Sequence, residues 1–208
     1  HNQFDLGPFR LRARSEPAQE VGGDLYNVFP INARKWAVVL GDVSGKGIQG
    51  AMYMTVATTL LEARAEHGIS PAAALADANR RLYPKIHRAR MFVSLLYGAL
   101  DIQDRTLTFS NAGQSPPIYC PREGAPQFLR VPGLPLGALR EAQYQQGVLR
   151  LQPGDALLLY SDGFIEARNK AAEPLGYDGV LALVAEAWRD NVDLLDRLFD
   201  AALAHIAG

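Results

Sequence analysis

The chain has 208 residues, enough to bury one sizeable core, and 48% of them are hydrophobic. Its 21 Lys and Arg nearly balance 22 Asp and Glu, a net charge of -1, so nucleic acid is not an expected partner. No apolar run approaches the ~18 residues of a membrane span, no signal peptide opens the chain, and the single Cys120 excludes an internal disulfide framework. The cytoplasm is the expected compartment.

Strand signals dominate the first 42 residues. Phe9 to Arg14 alternates apolar and basic residues, Leu25-Tyr26 and Val28-Phe29 continue the β character, and Pro30 to Lys35 reads as a hairpin turn. The apolar run Trp36 to Leu40 reads as a buried strand. A helix is predicted from about Gly47 to His67, rich in small residues and methionine at its start, with Gly68 closing it. A second begins with Ser70 as N-cap and Pro71 in its first turn, and is predicted to end near Pro84.

Met91 to Leu100 is apolar throughout, as a central strand is, and Asp101 to Asp104 turns into the alternating Arg105 to Ser110. Short strands follow around Pro116 to Tyr119 and Gln127 to Arg130, then Tyr144 to Leu151 and Ala156 to Tyr160. Helices over Tyr177 to Trp188 and Val192 to Ile206 close the chain. In the last, Leu195, Leu198, Phe199, Ala202, Leu203 and Ile206 share a face, and Asp193, Asp196 and Asp200 read as its solvated side. Two strand blocks separated by a helix pair, then closing helices, argue an α+β layered sandwich in one domain.

Three aspartates sit at glycine-marked points of this pattern: Gly22-Gly23-Asp24, Gly41-Asp42-Val43-Ser44-Gly45, and Ser161-Asp162-Gly163. Each alone is ordinary turn chemistry. Together, at strand ends with little side-chain bulk around them, they suggest one oxygen-rich site for hard cations such as Mg²⁺ or Mn²⁺. Two such ions can activate a water and clamp an in-line phosphoryl displacement. A phosphate-loop reading of Lys46 fails, because only Asp42, Val43 and Ser44 separate Gly41 from Gly45, and Gly47 stands where the metal-binding hydroxyl is needed. Cys120, Ser161 and the scattered histidines form no nucleophile or zinc pattern.

These segments resemble the bacterial branch of the metal-dependent PPM (protein phosphatase 2C-like) serine/threonine phosphatases, the SpoIIE and RsbU type. Glu20 to Tyr26 is similar to the first acidic motif of that family and Gly41 to Gly47 to its second. Phe92 to Gly98, Asn111-Ala112-Gly113 with Pro116-Pro117, Gly133 to Gly137, and Ser161 to Asn169 follow in the family's order.

The resemblance implies a two-layer antiparallel β-sandwich flanked by helix pairs, holding two Mn²⁺ or Mg²⁺ ions. Asp42 would bridge the ions, Asp24 and the Val43 carbonyl would complete one shell, and Asp162 would serve the other, with Ser44, Asn27, Gln114 and Gly163 as supporting neighbours. The implied substrate is a phosphoserine or phosphothreonine on a STAS-domain anti-anti-sigma protein. An upstream sensor domain of the same chain would act through the helix pair after Asp42, and a homodimer is compatible with this class.

Three departures accompany the likeness. Asn27 stands where the family often has another Asp, and Gln114 where it usually has a His. Residues 1–208 read as one phosphatase domain of a larger signalling protein, without the family's closing Asp-Asp strand. Ser44 occupies the place of a histidine that in the eukaryotic branch can protonate the leaving group, so that role falls to metal-bound water. A second reading, a catalytically weak phosphatase-like binding module, draws on the same departures.

Overall fold

A computed structural model describes residues 2–15, 24–45 and 47–207. Glu20 to Gly23 of the first acidic motif, and Lys46, lie outside the described residues. The strands are β1 (Asn2–Leu6), β2 (Phe9–Ala13), β3 (Leu25–Pro30), β4 (Lys35–Val43), β5 (Val93–Asp101), β6 (Thr106–Ala112), β7 (Ile118–Cys120), β8 (Gln127–Phe128), β9 (Gln146–Arg150) and β10 (Ala156–Leu158). The helices are α1 (Ile48–Ala65), α2 (Pro71–Ile86), α3 (Asp162–Glu166), α4 (Gly176–Arg189) and α5 (Leu194–Ala207). The fold is α+β with antiparallel strand pairing. Two compact units divide it, His1–Gln114 with Val131–Leu151, and Ser115–Arg130 with Gln152–Gly208.

The first unit is built on a five-stranded sheet in the order β3-β4-β5-β6-β9. Along β4, Ala37, Val39 and Val43 are buried while Trp36, Val38, Leu40 and Asp42 between them are only partly so. The buried set faces Met54, Ala57 and Leu61 of α1 and Leu75, Ala78 and Leu82 of α2. One face of β4 is therefore fixed by the helical core, and Asp42 lies on the other. As its apolar sequence requires, β5 is the central strand, paired with β4 from Asp101↔Lys35 to Val93↔Val43.

Gly47 opens α1 at φ 84°, a left-handed conformation that glycine adopts without strain. Ser70 caps α2 as expected, its hydroxyl accepting the Ala73 N–H at 3.4 Å. That helix does not end at Pro84 but runs to Ile86, whose burial in the core supports one more half-turn. Two bonds then close it, Met91 N–H to the Ile86 carbonyl (3.1 Å) and Arg90 N–H to the His87 carbonyl (3.0 Å). This is a Schellman ending, with Arg90 at φ 55° in the place usually taken by glycine.

The second unit packs α4 and α5 around the sheet β10-β7-β8, with Ile118, Cys120, Leu158, Tyr160, Val180, Val184 and Leu198 as its core. Burial pushes the Cys120 thiol up to about 12, which leaves it an unreactive core residue. Two expectations for the last helix change. Asp193 is its cap, accepting the Leu195 and Asp196 N–H groups at 3.1 and 3.2 Å, because the chain turns in there. Leu203 and Ile206 are exposed, since only Leu198 and Ala202 face the core fully.

Candidate metal centre

The β3–β4 ladder ends with Leu25 opposite Gly41, so one further step in register sets Asp24 opposite Asp42. Leu25 and Phe29 pack on the helical core, as do Ala37, Val39 and Val43. Alternation then places Asp24 and Asp42 together on the other face of the sheet. A carboxylate oxygen of one lies within 4.8 Å of a carboxylate oxygen of the other. Asp24 is exposed and Asp42 half-buried. Like charges directly across a strand pair repel, and a hard divalent cation between them removes that repulsion while taking an oxygen from each. The donors fit Mg²⁺ or Mn²⁺.

The backbone of Val43 is oriented by its partner. Val93, its register partner in β5, exchanges both main-chain hydrogen bonds with Leu136 (3.0 and 2.8 Å), so Val43↔Val93 is a non-bonded pair. In an antiparallel ladder the Val43 carbonyl must then face away from β5, on the side where Asp24 precedes β3. It is an oxygen donor directed to the same strand edge as the carboxylate pair.

The turn after Val43 is held from two sides. Ser44 exchanges three hydrogen bonds with Phe92: N–H to carbonyl at 2.9 Å, hydroxyl to carbonyl at 3.1 Å, and Phe92 N–H to hydroxyl at 2.7 Å. The hydroxyl is thereby committed to the backbone. On the other side Gly50, in the first turn of α1, lies against Val43 and Gly45 with no room for a Cβ.

Asn27 is a correction. It shares the helical-core face with Leu25 and Phe29, and its amide donates to Glu62 of α1 at 2.7 Å. Alternation along β3 turns it away from the Asp24–Asp42 face, so it ties the strand to α1. Gln114 is buried at the end of the Asn-Ala-Gly loop. Its N–H donates to the Asn111 side chain (2.7 Å), which returns a bond to the Gln114 carbonyl (2.8 Å), so the loop is locked by its own asparagine.

Asp162 belongs to the second unit, where it opens α3, a single turn that its sequence did not announce. It is exposed, as is Gly163. A Cβ on Gly163 would meet only the Ser161 Oγ, at an ordinary 3.7 Å, so packing among the described residues gives no reason for glycine there. The opposition of Asp24 and Asp42, the orientation of the Val43 carbonyl and the Ser44–Phe92 clamp are functions of strand register. Only a correct pairing of β3, β4 and β5 could have revealed them beforehand.

The model of the family described as Stage II sporulation protein E (SpoIIE) matches residues 32–208. Protein IcfG of Synechocystis is 25% identical over 230 residues, covering 98% of this chain and 36% of that protein. Phosphoserine phosphatase RsbU of Bacillus subtilis is 30% identical over 161 residues, 77% of this chain and 48% of its own length. The chain thus spans less than half of either relative. Among solved structures, the PP2C phosphatase domain of SpoIIE from Bacillus subtilis superposes with a TM-score of 0.72 at 24% identity, over 90% of this chain and 55% of that one. That likeness concerns the fold.

Proposed function

We propose that this chain, which belongs to the SpoIIE family of PP2C-like proteins, is a divalent-metal-dependent phosphatase domain acting on phosphoserine or phosphothreonine in a protein. The observation that carries the reading is the opposed carboxylate pair, Asp24 and Asp42, on one face of the strand edge. In this reading Asp24, Asp42, the Val43 carbonyl and Asp162 would hold the metal ions. When bound, Mn²⁺ or Mg²⁺ would supply Lewis acidity toward the phosphoryl oxygens and an activated water at neutral pH.

The protein's own groups have separable tasks. Asp24 and Asp42 concentrate negative charge that would repel a phosphate dianion, so substrate binding is coupled to metal loading. Ser44, whose hydroxyl both donates to and accepts from Phe92, fixes the turn that follows Val43 and hands no proton to the leaving serine. Fixing that turn keeps the Val43 carbonyl and the Asp42 carboxylate in constant relation.

The substrate in this reading is a small STAS-domain anti-anti-sigma protein, for which the support is the resemblance to the RsbU type. In this reading the chain is the catalytic part of a longer cytoplasmic signalling protein with an upstream sensor. Support for that comes from the greater length of the relatives and from α1, which begins five residues after Val43.

The test is phosphate release from a phosphoserine peptide with Mn²⁺ and again after EDTA. Turnover that depends on Mn²⁺ and falls in Asp42→Asn is the expected result. Full turnover in chelator overturns the metal assignment. Mn²⁺ binding without turnover leaves the second reading, a phosphatase-like binding module.

A further inference from the structure

A cationic surface lies at the C-terminal end of α2, on the helical side of the sheet whose edge carries the carboxylate pair, and the near-zero net charge conceals it. Between Asp77 and Asp101 the sequence contains no acidic residue, while Arg80, Arg81, Lys85, Arg88 and Arg90 fall within that stretch together with His87. All six side chains are exposed. Arg80 and Arg81 are engaged by Asp77 at 3.2 and 2.7 Å, which also binds Arg64. Lys85, Arg88 and Arg90 have no acidic partner within 4.0 Å among the described residues, and His87 stacks on Tyr83 at 4.7 Å.

The place of this surface matters more than its charge. Arg90 is followed by Met91 and Phe92, and Phe92 is the residue clamped to Ser44 by three hydrogen bonds. Met91 lies so close to Gly45 that a Cβ there would stand 2.8 Å from its Cε. Two residues from Arg90 to Phe92, one strand spacing, and two residues from Ser44 to Asp42 limit the Arg90–Asp42 separation to about 20 Å. An extended peptide spans that distance in roughly six residues at ~3.3 Å each. Arg90 also occupies a left-handed position, φ 55°, at which glycine would be unstrained. No ion pair among the described residues accounts for an arginine there.

We infer that Lys85, Arg88 and Arg90 form a docking surface for an acidic segment of the phosphoprotein substrate, three to six residues from the phosphorylated serine. The inference rests on the phosphatase reading for the identity of the occupant. Complementary charge at a rim accelerates encounter and favours correct partners, and it weakens as salt screens it.

Two fluorescent phosphoserine peptides test it, one flanked by glutamates at three to six positions on both sides and one with glutamines in their place. Anisotropy titrations in Mn²⁺ at 50 mM salt should show the acidic peptide bound about tenfold more tightly, a preference that shrinks at 300 mM. In Arg88→Gln/Arg90→Gly the preference should fall below about twofold, with a melting temperature no lower than the parent's, because glycine relieves the left-handed position. Equal affinities in the parent, or a preference kept by the double variant, overturn the inference. So does tighter binding of a single-stranded RNA of equal charge, which would assign the surface to nucleic acid. Phosphate release from the same peptides separates the two readings. A preference without any hydrolysis removes the phosphatase reading and leaves the docking surface; hydrolysis without a preference does the reverse.

Discussion

Gly50 in α1 stands over the carbonyl of Gly45, and a Cβ built on it would lie 2.6 Å from that oxygen and 2.8 Å from Cγ1 of Val43. Neither neighbour can yield independently, since the first is backbone and the second is buried at the end of β4. The position of α1 and the position of the turn after Asp42 are therefore one mechanical variable. A movement of the helix must be felt at the strand edge that carries the carboxylate pair.

Gly50→Ala should accordingly shift the Val43–Gly45 turn. An overpacked contact of this kind costs about 1–3 kcal/mol. Under the proposed function, Mn²⁺ affinity and turnover should fall together. A Mn²⁺ titration beside a thermal melt distinguishes this from simple destabilisation. A lower melting temperature with unchanged Mn²⁺ affinity would make α1 a packing element only.

Mn²⁺ should raise the melting temperature of the parent, because a ligand that binds only the folded state stabilises it by mass action, by about 2.7 kcal/mol at a hundredfold excess over Kd. In Asp42→Asn that increment should largely vanish, since the opposed pair loses one of its two charges. Asp200→Asn, on an exposed position of α5, is the control and should keep it. Asp193 would be a poor control because it caps that helix.

How much of this was legible depended on the range of the interactions. The apolar run at Met91 to Leu100, the Ser70-Pro71 helix start and the turn at Asp101 to Asp104 are local signals, and all three appear where they were expected. The single turn α3 is too short to show a helical period, and Ile86 carries α2 past Pro84 through burial that a proline signal cannot reveal. The three candidate aspartates could be picked out by their glycines. The face each occupies could not, because it follows from a register between strands, and Asn27 was misjudged for that reason. The basic stretch Arg80 to Arg90 was hidden by summing charge over the whole chain.

Acid should weaken the second unit through Asp155. Burial works to raise the pKa of this carboxyl, but the Arg122 and Gln152 N–H groups at 2.8 Å and the Tyr119 hydroxyl at 2.7 Å outweigh it and hold it below the usual range. A carboxyl depressed on folding contributes stability that is complete above its unfolded value, about 3.9, and is lost as pH falls through the folded value. Asp155→Asn should cost about 1–3 kcal/mol at pH 7 and flatten the loss of stability below about pH 4. Denaturant melts of parent and variant from pH 7 to pH 2 would show it. Parallel curves over that range would mean that folding does not depress the Asp155 carboxyl.

Gly163 separates folding from function most sharply. It lies in the single turn of α3, next to Asp162, and a Cβ there would meet nothing closer than the Ser161 Oγ at 3.7 Å. Its φ is not in the left-handed region, so neither sterics nor backbone conformation among the described residues requires glycine. Alanine in a helical position is favoured over glycine by about 0.5–1 kcal/mol, and Gly163→Ala should raise the melting temperature slightly. Under the proposed function a methyl beside Asp162 intrudes on the space a phosphoserine must occupy. Turnover of a phosphoserine peptide should then drop by about tenfold, the equivalent of roughly 1.4 kcal/mol in transition-state stabilisation. The informative pairing is higher stability with lower kcat/KM. If the variant melts higher and turns over at the parental rate, Gly163 is no part of the substrate site, and the assignment of Asp162 loses one of its supports.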